Sequence, residues 1–373
     1  MHTTPAGSST SPRSAPASET TGGPGAALAE LRSRYPLPFF VGRRLVALVL
    51  LGVGITLIAF TLTELVPGDP AEANLGQRAG ADPAAVRAFR EHYGLDRPLP
   101  VQYGLYLVHL TQGDLGQSQQ SHRSVRADLG EYIPATAELA ITSMLVAGIS
   151  GIALGVLAAI RRNRLTDQLL RVVSLGGISM PTFWLALVGL YLFFFKLSLV
   201  PGGGRLDPGV PAPPHLTGLY TIDAMLAGQT DVALNAMQHL VLPALVLAAY
   251  NIGLLTRFTR SAVLEVIDND YVRAARAKGL RESRVITRHV LRAALPPVVT
   301  VAGLAFANVM TGTVLVENIF AWPGIGQYAY RSATTLDLPA IMGVTLFVAV
   351  VYILVNLVVD VLHAAIDPRV RLA

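Results

Sequence analysis

A chain of 373 residues is long enough for two ordinary soluble domains, but here 52% of residues are hydrophobic and only 14% charged, against about 25% charged in a soluble domain. With a mean hydropathy of +0.50 the chain reads as a membrane protein, and the absence of cysteine excludes disulfides, thiolate catalysis and cysteine-ligated metals. The net charge of +5 would suit nucleic acid only if it were spread over a soluble surface, so its distribution along the chain decides its meaning.

Residues 1–40 are rich in Ser, Thr, Pro, Gly and Ala without apolar periodicity and are expected to be a disordered tail. Pro5, Pro12, Pro16 and Pro24 interrupt any signal-peptide core, and the first long apolar run starts only after Arg43-Arg44. A spanning helix needs about 20 apolar residues. Six stretches qualify: Leu45 to Val66, Leu139 to Ile160, Val172 to Phe195, Leu240 to Leu255, Leu295 to Val316 and Ala340 to Val361. The fourth is short and contains Pro243. The expected organisation is a tail (1–40), a first span (41–66), an outer loop region (67–134), a transmembrane domain (135–364) with a cytoplasmic loop at 256–294, and a short tail (365–373).

Loop charge gives the orientation. Arg161, Arg162, Arg164 and Arg171 surround the short loop after the second span, nine basic residues lie between Arg257 and Arg292, and Arg369 and Arg371 follow the last span. Loops on the other side are poor in Lys and Arg, so the positive-inside rule places both termini in the cytoplasm. Residues 67–134 carry six Arg but exceed the ~60-residue limit of that rule. Within them, Pro83 to His92 and Pro100 to Leu110 look helical, and Gly113-Asp114-Leu115-Gly116 reads as a turn, so a small folded cap is expected.

The most basic stretch runs from Asp268 to Pro296. Asn269 or Asp270 can cap a helix over Tyr271 to Lys278, and Gly279 sits where a left-handed residue would end it. A second helix from Glu282 to Ala294 would align Arg284, Arg288 and Arg292. The pattern resembles a helix-turn-helix DNA reader, with Ala275, Gly279 and Val285 at the small, turn and apolar positions, but spans tether both ends and leave no room for the third helix. No nucleic-acid partner is expected.

Ionisable residues in or beside spans are Glu64, Glu138, Lys196, His239, Glu317 and Asp360. Such residues are functional candidates by default, yet all lie near span ends, where packing or snorkelling to the interface explains them. Gly148-Ile149-Ser150-Gly151 has the form of an intramembrane serine protease nucleophile, whereas close helix packing through Gly148, Ser150, Gly151 and Gly155 explains the same residues. The two lysines, Lys196 and Lys278, are followed by Leu and Gly, so no G-x-x-x-x-G-K-[ST] phosphate loop exists. Charged relays at mid-membrane and internal repeats with broken helices, expected of an ion-coupled secondary transporter, are not seen. No metal-ligand spacing occurs.

Ala274-Ala275, Gly279 and Leu295-Pro296 resemble the EAA loop of ATP-binding-cassette (ABC) importer permeases, and Asp270 to Leu280 is similar to the dipeptide/oligopeptide/nickel branch. Further matches follow in order: Val66 to Pro70, Gly94 to Pro98, Gly113 to Gly116, Ala135 to Ala140, Ser179 to Trp184, Glu317 to Phe320, Pro323 to Gly326 and Asp367 to Arg371. Arg273 stands where the family-wide loop has Glu, and Leu-Pro falls a few residues late. The long outer loop resembles the B-type permease subunit.

The resemblance implies an all-α, six-span type I importer permease, without its own ATPase site, forming half of a pathway for di- or oligopeptides. Nickel, glutathione or another small solute is the alternative cargo within the family. It implies a C-type permease partner, two cytoplasmic ATPases that use ATP and Mg, an extracytoplasmic substrate-binding protein and a cell-membrane location. The ATPase-coupling residues would be Asp270 (cap), Tyr271 (anchoring ring), Arg273, Ala274 and Ala275 (slim seat), Lys278 and Gly279 (bend).

Overall fold

In this computed structural model the described residues are 82–93 and 96–366, apart from 119 and 336, together with helical positions between 42 and 61. The expected tails at 1–40 and 365–373 lie almost wholly outside them, as do Glu64, Val66 to Pro70, Gly94-Leu95 and Asp367 to Arg371; the first span is described only in part. The helices described below belong to the unit Val46–Arg371.

Among the described residues there is no β-strand. Two short helices, α1 (Pro83–Tyr93) and α2 (Leu99–Thr111), fall where the outer cap was expected. The long helix α3 (Val125–Ile160) starts 14 residues before the apolar stretch used to place it. Ser124 accepts a hydrogen bond from the Ala127 amide and Asp128 lies in the first turn, so capping chemistry sets the start. Pro134, expected as the end of the outer loop, lies inside this helix.

The expected span Val172 to Phe195 is two helices. α4 (Leu165–Ser179) and α5 (Thr182–Lys196) meet at a bend of 98°. Pro181 lacks the amide that would continue the ladder, and Met180 adopts an extended conformation before it. α5 ends in π turns over Leu190–Lys196. After α6 (Tyr220–Leu226), the expected 16-residue fourth span is part of α7 (Thr230–Val266), a 37-residue helix that carries Pro243 internally.

The basic segment holds α8 (Asp270–Ala277), and the second helix expected from Glu282 to Ala294 does not stop there. It runs on as α9 (Glu282–Met310), through a π segment at Val285–Val290 and past Pro296 and Pro297. Two short helices, α10 (Val314–Ile319) and α11 (Ile325–Thr334), precede α12 (Leu338–Ile366). Among the described residues, α3, α7, α9 and α12 are long and apolar enough to cross a membrane, and α4–α5 would make a fifth span if counted as one. The expected count of six therefore rests on the partly described first stretch.

α7 is the hub, packed against α3, α4, α6 and α9, while α12 packs on α9 and α3. Small residues permit the closest approaches. A Cβ on Gly151 would come within 2.7 Å of Leu255, and one on Gly155 within 2.5 Å of Thr259, so α3 and α7 run parallel in contact. Gly253 of α7 lies equally close to the Ser174 carbonyl of α4. This explains Gly151 and Gly155 by packing, whereas a Cβ on Gly148, expected to share that role, would meet nothing within 4 Å. One core cluster gathers Leu139, Leu240, Val309, Phe320 and Trp322; a second runs from Ala147 through Leu255 to Val272 and Val285. Leu145, Ile149, Val172, Leu245 and Val358 remain exposed, as lipid- or subunit-facing side chains would.

Candidate functional site

The basic loops converge on one end of the bundle. The Arg162 guanidinium lies 4.0 Å from Asp268, Arg260 donates to Asp167 at 2.7 and 2.9 Å, and Arg292 donates to the Ile366 carbonyl at 3.3 Å. The turn after α3, the ends of α7 and α12 and the starts of α4 and α9 thus lie together. α8 sits among them.

α8 is held from one side. Val272 is fully buried and Ala275 is 6% exposed, both packed in the cluster that holds Val263, Val285, Ile286 and Val290. Asp270, Arg273, Ala274, Ala277 and Lys278 are exposed, as is Tyr271 at 45%. The two alanines expected to form one slim face therefore point apart: Ala275 seats the helix on its own protein, and Ala274 faces outward. Successive helical residues are about 100° apart, which makes this separation a geometric necessity. Asp270 is not the cap. Asn269, in extended conformation, occupies that position, and Asp270 in the first turn pairs with Arg273.

Gly279 has φ +74°, the left-handed region that costs a β-carbon residue about 1–2 kcal/mol. It closes α8 while its amide donates to the Arg276 carbonyl at 2.9 Å. Arg276, which the sequence did not single out, then clamps the bend. It donates to Glu282 at 2.9 Å and to the Ile267 carbonyl at 3.4 Å. The hydrogen bond to Glu282 raises the Arg276 pKa above its ordinary value. One side chain thus ties the end of α7, α8 and the start of α9 together.

At the opposite end, residues from separate sequence motifs meet in buried polar clusters. Glu138 receives hydrogen bonds from Arg205 at 2.6 Å and from the Thr221 amide and hydroxyl at 2.8 and 2.6 Å. Arg205 also donates to the Gly218 carbonyl and lies 3.5 Å over the Tyr220 ring. Thr136 donates to Glu317 at 3.0 Å while accepting from the Ile325 amide, and the Gln327 amide donates to Glu317 at 2.8 Å. Trp322 donates to the Ala135 carbonyl at 2.9 Å. Glu138 and Glu317 are therefore internal structural acceptors, not residues snorkelling to an interface. His239 bonds the Asn235 carbonyl within its own helix and lies 3.6 Å from Asp207.

Residues 151–372 match the family described as "Binding-protein-dependent transport system inner membrane component", and residues 37–140 match its N-terminal companion. The chain belongs to this family. It is 46% identical over 323 residues to the "Probable D,D-dipeptide transport system permease protein DdpB" of Escherichia coli, covering 87% of this chain and 94% of that one. It is 40% identical to the dipeptide transport system permease DppB of Alkalihalophilus pseudofirmus, covering 88% and 98%. The di/tripeptide permease DppB of Pseudomonas aeruginosa is 43% identical, with 89% and 98% covered. Among solved structures, an inward-facing MetNI methionine ABC transporter matches 64% of this chain and 96% of that one, at 17% identity and a TM-score of 0.46. By its family and its helices, this permease is a multi-pass, all-α membrane component of a binding-protein-dependent transporter, a transport subunit and not an enzyme.

Proposed function

We propose that this permease forms half of an import pathway for di- or oligopeptides, with its basic end and both termini in the cytoplasm. A second, C-type permease would complete the pathway, a substrate-binding protein would deliver cargo outside, and two ATPase subunits would bind ATP and Mg and dock on α8. The relatives' peptide-permease names support the cargo. Convergence of the basic loops on one end supports the orientation by the positive-inside rule.

The observation that carries the coupling role is the two-sidedness of α8. Val272 and Ala275 fix the helix to the bundle, and Tyr271, Ala274 and Lys278 leave its far face bare. A helix anchored to α7 and α9 in this way transmits a push on its free face to the spans, provided the pushing surface has two positions.

Ala274→Arg places bulk on the free face without touching the buried side, and Gly279→Val strains the bend. Both should lower recovery of the ATPase subunits with the affinity-purified permease by about tenfold or more, a loss of roughly 1.4 kcal/mol. Undiminished recovery and undiminished uptake in both variants would refute the role. Cargo is read separately, as uptake of labelled dipeptide, nickel and glutathione by cells with and without the gene.

A further inference from the structure

Beside the basic end, α4 and α7 enclose a cavity of about 240 Å³ that the coupling role does not use. Arg257 and Arg260 of α7 line it together with Leu170, Arg171, Leu175 and Ile178 of α4. Asp167 accepts the two hydrogen bonds of Arg260 and lies 3.7 Å from Arg171. Arg257 forms no ion pair among the described residues and lies 5.4 Å over the Phe258 ring. Of the three lining arginines, Arg260 and Arg171 share the Asp167 carboxylate and Arg257 brings a further positive charge, so the lining is net positive. Thr256, also in the wall, has a buried hydroxyl with no hydrogen-bond partner among the described residues.

Leu170, Leu175 and Ile178 fall on the same face of α4 and give the cavity an apolar strip, with Leu175 more than half exposed. A free anion would use the arginines and leave this strip bare. A molecule with a negatively charged head and a hydrocarbon tail would use both. Arg257 and Arg260 lie in the last turns of α7 and Arg171 in the first half of α4, on the basic end that the positive-inside rule gives to the anionic cytoplasmic leaflet.

We propose that this cavity is a binding site for an anionic phospholipid, its phosphate on Arg257 and Arg171 and an acyl chain along Leu170, Leu175 and Ile178. Arg260 is committed to Asp167 and serves as the back wall. The site rests on the membrane reading of the chain and not on which solute is carried, so a failed peptide-uptake test would leave it standing.

The test is native mass spectrometry of the full-length permease, released from delipidating detergent and titrated with phosphatidylglycerol, phosphatidylcholine or inorganic phosphate. Phosphatidylglycerol should be retained and phosphatidylcholine not. Arg257→Gln and Arg171→Gln should each weaken retention about fivefold, the contribution of one basic residue near a membrane surface. Arg257→Lys, which keeps the charge, should stay within about twofold, and Arg288→Gln, on an exposed part of α9, should change nothing. Equal retention of both lipids, or of phosphatidylglycerol by wild type and Arg257→Gln, would overturn the proposal. Binding of inorganic phosphate as tight as that of phosphatidylglycerol would reduce the cavity to a soluble-anion site and overturn it too. So would displacement of the lipid on adding the partner permease, since the face would then be a subunit contact.

Discussion

Glu138 and Arg205 show what single residues do in this fold and how far sequence can see them. Glu138 stands out as an acid in an apolar stretch, but its partner lies 67 positions away in a Gly- and Pro-rich loop without periodicity, where it reads only as a loop charge. With both side chains at most 6% exposed, removing one partner leaves a buried charge unpaired, at a cost of about 3–5 kcal/mol. Arg205→Met should therefore lower the melting temperature in detergent sharply, and Glu138→Gln with Arg205→Met should recover part of the loss. Equal melting of wild type and Arg205→Met would show that the pair is not buried. A second acid sets a pH dependence. Burial acts to raise the Asp223 pKa, but hydrogen bonds from the Thr217 hydroxyl and the Thr217, Gly218 and Leu216 amides outweigh it and hold the carboxyl below its ordinary value. A folded pKa below the unfolded value of about 3.9 gives stability that is present above that value and lost as pH falls through the folded one. Wild type should thus lose melting temperature more steeply than Asp223→Asn on acidification below about pH 4, and parallel pH profiles would remove Asp223 from the acid response.

At the scale of elements, the apolar spans were legible and their ends were not. Hydropathy counts the residues that sit in lipid, whereas α3 and α7 continue past it as helices whose backbone bonds need no apolar side chains. Pro134, Pro243, Pro296 and Pro297 all lie inside helices, whereas Pro181, preceded by an extended Met180, marks a true break. The helix α8 was legible to within one residue at each end, because Asn269 and Gly279 bracket it with specific backbone chemistry. Which of its faces is buried was not legible, since the apolar cluster beneath it comes from other helices, Val263 of α7 and Val285 and Ile286 of α9. The parallel contact of α3 and α7 gives a sharper test of packing than any single span. A Cβ at Gly155 meets both Thr259 and the Thr256 carbonyl, the latter at 2.8 Å, while one at Gly148 meets nothing within 4 Å. Gly155→Val should destabilise by about 1–3 kcal/mol or force the helices apart, and Gly148→Ala should be silent. Equal melting temperatures for the two variants would mean that α3 and α7 do not approach as closely as described.

Across the described residues, the basic end is a set of ties and the opposite end a set of buried clusters, joined by helices of 29 to 37 residues. Asp167 with Arg260 ties α4 to α7, Arg162 with Asp268 ties the turn after α3 to the approach to α8, and Arg276 with Glu282 ties α8 to α9. A displacement of α8 thus reaches α9 through the clamp and α7 through the apolar seat. The clamp is partly exposed, at 35% for Arg276 and 56% for Glu282, so its contribution to stability is at most about 1 kcal/mol. In the coupling role proposed for α8 its contribution would follow a different rule, because a loose joint need not be unstable to fail as a lever. Glu282→Gln removes the ionic tie while leaving Tyr271, Ala274 and Lys278 free to meet an ATPase. It should leave the melting temperature nearly unchanged and ATPase recovery intact, yet reduce uptake relative to ATP hydrolysis in reconstituted vesicles. Loss of ATPase recovery would instead make the clamp part of the docking surface, and full coupling in Glu282→Gln would show that the apolar seat under Val272 and Ala275 carries the motion alone.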